Sequence, residues 1–301
     1  MAGTLTTVDL SQLPAPEVVE TLSFETILAE MLADLRARDG AYSALVESDP
    51  AYKVLEVAAY REVLLRQRVN DAAKAVMLAY AATTDLDQIG ANYDCARLTI
   101  TPADNTAIPP TVAVMEGDEA YRARIQLSPE GYSCAGPAGA YSYFAKSASG
   151  DVLDVGVDQP QAGTVRISVL SRRGNGAAPQ ATLDAVTAAL NDEDVRPLCD
   201  MVVVQPATIL SYSVRAALIV LPAADQAGIL AAAQTACQAY ADATHGMGRS
   251  VTLAGLLGAL MVAGVVNVAL QAPGLTADLI STDTQAPYCT GISLSIGGIG
   301  A

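Results

Sequence analysis

Between Ala51 and Ala82 the apolar residues keep the three- and four-residue spacing of one helical face. Val54, Ala58, Leu65, Val69, Ala72, Val76 and Ala79 form the stripe, while Lys53, Glu56, Glu62, Arg66 and Asp71 are polar. Asp49 is placed as the N-cap and Pro50 as the first helical residue, and nothing breaks the pattern before Thr83-Thr84-Asp85. From Ala75 to Ala82 the pattern is apolar all round, which predicts burial on every side. Thirty-two helical residues span about 48 Å, whereas a compact domain of about 115 residues measures roughly 35 Å across. The helix is therefore predicted to project beyond its domain. Val54, Ala58, Leu65, Val69, Ala72 and Val76 would then line an interface with another molecule.

Shorter patterns surround it. Phe24–Ala37 reads as an amphipathic helix, with Ser23 as N-cap and Asp39-Gly40 as stop. Asp85–Tyr93 is a short helix, and the Pro-rich stretch 98–116 a connection. Asp118 can cap a helix running to Leu127, and Pro137–Ala148 and Pro179–Leu190 are further helices. Val152–Val157, Thr164–Leu170 and Met201–Val204 are strands, so this part reads as a small sheet with helices packed on it. The pattern resets at Thr208 with a strand through Pro222, an Ala-rich helix Asp225–Ala243 and a final strand on which Ile292, Leu294 and Ile296 alternate. The expected fold is α+β and multidomain. A helical region (1–97) and its connection (98–116) precede a central α+β module (117–206) and a C-terminal one (207–301).

One stretch tests whether the chain enters a membrane. Ser250–Ala277 carries no charge, and Val251–Leu270 is as long as a membrane span. Its spacing argues otherwise. Leu253, Leu256, Leu257, Leu260 and Met261 keep helical spacing, then Val265–Leu270 is β-branched and aliphatic. A helix over Val251–Met261, a break at Gly264 and a buried strand are expected, with Val266 and Val268 on one strand face and Val265 and Asn267 on the other.

Charge narrows the partners further. Lys+Arg number 17 against 32 Asp+Glu, a net charge of −15, which repels nucleic acid and anionic membranes. The absence of Trp leaves little for stacking sugars or bases. Cys95, Cys134, Cys199, Cys237 and Cys289 form no CxxC pair, so they read as small buried hydrophobes in a reducing compartment rather than a metal site. Residues 1–20 show neither the basic nor the apolar region of a signal peptide.

Three features could carry chemistry. Arg172 and Arg173, with Gly174 and Gly176, stand between a strand and a helix where a phosphate could bind. Pro179 occupies the place of the third fingerprint glycine and the P-loop lysine is missing, so a structural βα turn is the better reading. A nucleotide- or small-molecule-binding enzyme using this turn is the competing function. His245 is the single histidine, lies at a helix end and lacks a nucleophile motif around it. The acidic runs 116–119 and 191–194 read as helix-start and turn carboxylates. No catalytic, cofactor-binding or metal-binding residues are assigned.

Several segments, in this order and spacing, resemble the baseplate J-like proteins of contractile phage tails and tail-derived particles. They are "LPAPEVVETLSFETILAEMLADL", "ESDPAYKVLEVAAYREVLLRQRVNDAAKAVMLAYA", "GDEAYRARIQLSPEGYSCAGPAGAYSYFAKSASGDVLDV", "GTVRISVLSRRGNGAAP", "NDEDVRPLCDMVVVQPA" and "AGVVNVALQAP". Cys134 and Cys199 depart from the pattern, where small polar residues are expected. The resemblance implies a structural protein of the virion or tail particle, without catalytic or cofactor residues. It also implies wedges in a six-fold ring around the tail tube, N-terminal helices bundled with a tail protein I-like wedge protein, and C-terminal modules joining copies of the chain.

Overall fold

The computed structural model describes residues 8–14, 16–133, 136–222 and 225–300. Their contacts divide into two units, each with its own core. The first comprises residues 8–96 with Asp118–Arg122, and the second residues 97–117 with 123–300.

The helical unit begins with α1 (Phe24–Arg38), where Ser23 accepts a hydrogen bond from Thr26 N at 3.2 Å, as its type and position predict. Helix α2 (Pro50–Ala75) starts at Pro50 as expected. Its cap differs, because the Asp49 carboxylate accepts from Val46 N instead of from the helix. Ile27, Leu28 and Leu32 of α1 pack with Ala59, Tyr52, Leu55 and Val63 of α2. Farther along, the Asn70 side chain is buried and grips the Glu20 backbone, accepting from its N–H at 3.0 Å and donating to its carbonyl at 2.9 Å.

The long helix stops seven residues before the expected Ala82. Residues 76–80 form turns, and Val76 is exposed rather than buried on every side. The reason lies on α4 (Asp118–Leu127), whose first half belongs to this unit. Buried Arg122 donates from Nε to Leu78 O at 2.7 Å and from Nη2 to Ala81 O at 2.6 Å. Carbonyls that a continued helix would satisfy are taken by a guanidinium instead. The next helix, α3 (Thr83–Ala91), opens at Thr83, whose φ of 50° is costly for a β-branched residue. Asp118 accepts from Thr83 N at 2.9 Å, so the residue expected to cap its own helix caps α3. Tyr121 donates to Cys95 O at 2.6 Å, and only glycine fits at position 90, where a Cβ would stand 1.9 Å from the Tyr121 hydroxyl.

The second unit opens where only an irregular connection was expected. Strands β1 (Thr99–Thr101) and β2 (Val114–Met115) pair antiparallel as a short ribbon. Glu116 anchors its base, buried with Arg124 at 2.7 Å and accepting from Leu98 N, while Arg97 donates to the Glu116 carbonyl. A buried ion pair needs such extra hydrogen bonds to offset its desolvation.

The central sheet runs β3 (Val152–Gln161), β4 (Thr164–Ser171), β5 (Met201–Pro206), antiparallel then parallel. Helices α5 (Ala138–Ser147) and α6 (Gln180–Leu190) supply Tyr141, Ala145, Leu183, Val186 and Leu190 to a core with Ile167 and Val169. In the last sheet β6 (Thr208–Val220) is central, antiparallel to β7 (Val265–Leu270) and parallel to β8 (Gln285–Ile299). Helices α7 (Gln226–Thr244) and α8 (Leu253–Leu260) pack Ala233, Cys237, Leu256 and Leu260 against Val214, Leu218 and Val268. Leu170, Ala207 and Ala286 join the two sheets in a small shared cluster.

The expected helix–break–strand holds, with Gly264 at φ 92°. The face assignment of the strand does not. Asn267 pairs with Ile219 and Val265 with Val220, leaving Val266 as an extra residue in a bulge. Val265, Val268 and Leu270 therefore face the core, and Val266 turns outward. Among the described residues no helix is long and apolar enough to cross a membrane.

Candidate assembly surface

Helix α2 has two apolar faces and α1 covers one. The other carries the predicted stripe: Val54 is 68% exposed, Leu65 69%, Val69 61% and Val76 75%. Ala72 is exposed beside them and Ala58 half-buried, while Val57, Tyr60 and Leu64 widen the surface. At 1.5 Å per residue α2 is about 39 Å long. A contiguous apolar row of this kind is characteristic of a surface that another molecule covers.

The glycine turn proves to be closed on itself. Ser171 N donates to Gly176 O at 2.8 Å, Gly176 N to Arg173 O at 3.0 Å and Arg173 N to Ser171 Oγ at 3.0 Å. Arg172 donates through Nε to Gly150 O at 3.0 Å, and Arg173 Nε stands 2.9 Å from Asp151 Oδ1, an ion pair without hydrogen-bond alignment. The other oxygen of buried Asp151 accepts from Ser171 and Thr182 hydroxyls at 2.9 and 2.7 Å. Arg173 N, Gly176 N and Arg172 Nε, donors that a phosphate could draw on, already serve the turn. His245 lies against this turn, with its Cε1 3.1 Å from where a Gly176 Cβ would be. Its Nδ1 is 2.7 Å from Pro287 O and its ring meets Tyr288 edge-on at 5.6 Å. Two features far apart in sequence are thus neighbours, and both hold loops together.

The remaining candidates separate. In the first acidic run Glu116 pairs with Arg124, Asp118 caps α3 and Glu119 meets Arg122 at 2.6 Å. In the second, Arg196 donates to Asn191 at 2.8 Å, and nearby Asp200 accepts from Tyr141 at 2.8 Å. Burial, then the Asp200 hydrogen bond, pushes the Tyr141 hydroxyl pKa upward. Cys95 and Cys237 are buried, the latter thiol pushed up to about 11 by burial and then by nearby Cys289. Cys289 is half-buried, and Cys199 is exposed, against the expectation of uniform burial, because it lies in the turn before β5. Cys134 lies outside the described residues. Among those residues no group of three His, Cys, Asp or Glu could hold a metal.

Comparison with known proteins adds what geometry does not. The baseplate J-like N-terminal domain matches residues 47–104, which contain α2, and the baseplate J-like central domain matches 133–206. Baseplate protein J of Escherichia phage P2 is 50% identical over 298 residues, 97% of this chain and 98% of that protein. The chain belongs to the baseplate J-like family. Its role is structural and its place is the tail baseplate of a virion or tail-derived particle. A chain of the anti-feeding prophage baseplate, solved with six-fold symmetry, is 14% identical with a TM-score of 0.43. That match covers 60% of this baseplate J-like chain and 44% of the solved one, too slight a likeness to argue from.

Proposed function

We propose that this chain is a baseplate wedge subunit whose outer α2 face bundles with a second, tail protein I-like wedge protein. Further copies of the chain then complete a six-fold ring around the tail tube through the central and C-terminal modules. The role is one of scaffolding, with no reaction to catalyse, and involves neither nucleic acid nor membrane. The modules are those at 1–97, 117–206 and 207–301, with 98–116 between the first two. What supports the reading is the row of Val54, Leu65, Val69 and Ala72, exposed with half-buried Ala58 between them on the face of α2 turned away from α1, and continued by exposed Val76 at its C-cap. Fully covering one such valine or leucine stabilises an interface by about 1.5–3 kcal/mol. Several together could hold a helix bundle.

Charged replacement tests it. L65E/V69E should abolish co-purification with the other proteins of the same baseplate while leaving the circular dichroism of the full chain unchanged. Assembly at wild-type yield in that variant would rule out the α2 interface.

A further inference from the structure

An edge strand leaves a row of backbone donors and acceptors unpaired, and another chain can pair with it unless the edge is blunted. In the two three-stranded sheets, three of the four edges are blunted. Strand β3 carries Asp154 and Asp158, β5 ends at Pro206, and β7 has 6 residues and a bulge. The fourth edge is open. Strand β8 runs for 15 residues without a charge, pairs on one side with β6 and, among the described residues, with no strand on the other. Within it residues 291–297 read Gly-Ile-Ser-Leu-Ser-Ile-Gly, the same in both directions. Pairing with β6 is regular over Ile292–Ile296, and bulges at Cys289–Ile292 and Ile296–Gly298 bound that stretch on both sides. Helix α7 crosses the sheet obliquely. Its C-cap His245 lies 2.7 Å from Pro287 O, whereas Ile229 near its start lies against Gly264, just before β7. Ala286 and Pro287 are therefore buried, while Ile292, Leu294 and Ile296 are packed on the core yet only half-buried.

Resting on the reading that C-terminal modules join copies of the chain, we infer that they do so by strand addition. Strand β8 of one copy pairs antiparallel with β8 of a second copy about a two-fold axis at Leu294. In that register Leu294 meets its own counterpart, Ile292 meets Ile296, Ser293 meets Ser295 and Gly291 meets Gly297. Like faces like at every position. Moving the axis by one residue sets Thr290 against Ile296 and Gly291 against Ser295, so the palindrome selects one register. The axis stands perpendicular to the sheet. It keeps Ile292, Leu294 and Ile296 of both copies on the helix-covered face, where each covers apolar surface that the other leaves half-buried, and the exposed serines on the opposite face. Charge permits the contact. Two chains of net charge −15 repel, but β8 carries no charge and α7 only Asp242. A regular stretch this short gives a weak contact, which forms where the rest of the baseplate holds two copies together. A two-fold contact joins two copies and no more, so a different contact must link pairs into a ring.

Assembled baseplates containing the full chain supply the test. In a C199S background, L294C should be joined copy to copy by a short bis-maleimide, because directly opposite Cβ atoms lie about 4.5–5.5 Å apart. T290C should not, since its two copies would stand about eight residues apart along the pair, roughly 27 Å. Co-expressed with the other baseplate proteins, S293K/S295K should cut the yield of assembled baseplates at least tenfold, and S293E/S295E likewise, with circular dichroism unchanged. The two variants together should restore the yield, because each lysine then faces a glutamate. No L294C dimer in assembled baseplates, or as much dimer from T290C, would overturn the inference. So would wild-type yield from S293K/S295K, or a mixture that restores nothing. If a cysteine scan over 207–301 then joins two copies at other positions, only the strand pairing falls. If no position there joins two copies, the reading of the C-terminal module as a contact between copies falls with it.

Discussion

Arg122 terminates a helix that it does not belong to. Its guanidinium takes Leu78 O and Ala81 O, and its third contact, to Glu119, lies at the surface. Replacing it by Met would leave two carbonyls in a poorly hydrated site and remove hydrogen bonds from a charged donor. Each such bond is worth about 1.5–3 kcal/mol. R122M should therefore lose about 3–6 kcal/mol in urea unfolding of the helical unit, and amide exchange over residues 76–82 should accelerate. R122K, with one compact ammonium for two carbonyls, should recover part of the loss. Stability within half a kcal/mol of wild type would show that the turn closes without the clamp. Legibility divides along the same line. The Ser23 cap and the Pro50 start were readable because their causes lie within one turn of helix. The ends of α2 and α3 were not, because Arg122 and Asp118 act from about forty residues away.

At the scale of elements, periodicity predicted which residues of α2 share a face and could not say which of two apolar faces its own unit covers. Strand β7 shows a related limit. Alternation placed Val266 with Val268, yet the bulge that separates them depends on the register of β6, which no window containing β7 alone reveals. The structural reading of the βα turn after β4 rests on local facts, Pro179 and the absent P-loop lysine. The contacts of Arg172 with Gly150 and of Arg173 with Asp151 make the enzymatic alternative directly testable. R172A/R173A should bind ATP, NAD and GTP no differently from wild type in calorimetry, with no saturable heat in either protein. Any loss should appear as a lower yield of folded or assembled chain, because Gly150 and Asp151 lose partners. Saturable nucleotide binding by wild type that disappears in the variant would overturn the scaffold reading of this turn.

For the whole molecule, family membership was legible in the order and spacing of segments spread along the chain, where no single motif was specific. The division of contacts into two units was less visible. Asp118–Arg122 joins the helical unit although it follows residues 97–117 of the other in sequence. Separate cores imply that damage to one unit need not reach the other. Val268 tests this. It is buried on β7 opposite Leu218, among Leu256, Leu260 and Ala233. An aspartate there would place an unpaired charge in an apolar core, costing several kcal/mol, on the order of the whole stability of a domain. V268D should strip exchange protection from β6, β7 and β8, and the shared Leu170–Ala207–Ala286 cluster should carry some loss into the central sheet. Helices α1 and α2 should keep wild-type protection, and the variant should still recover the α2 partner from co-expression. If protection of α2 falls with that of β6, the units fold as one, and the helices are not an independent bundling arm.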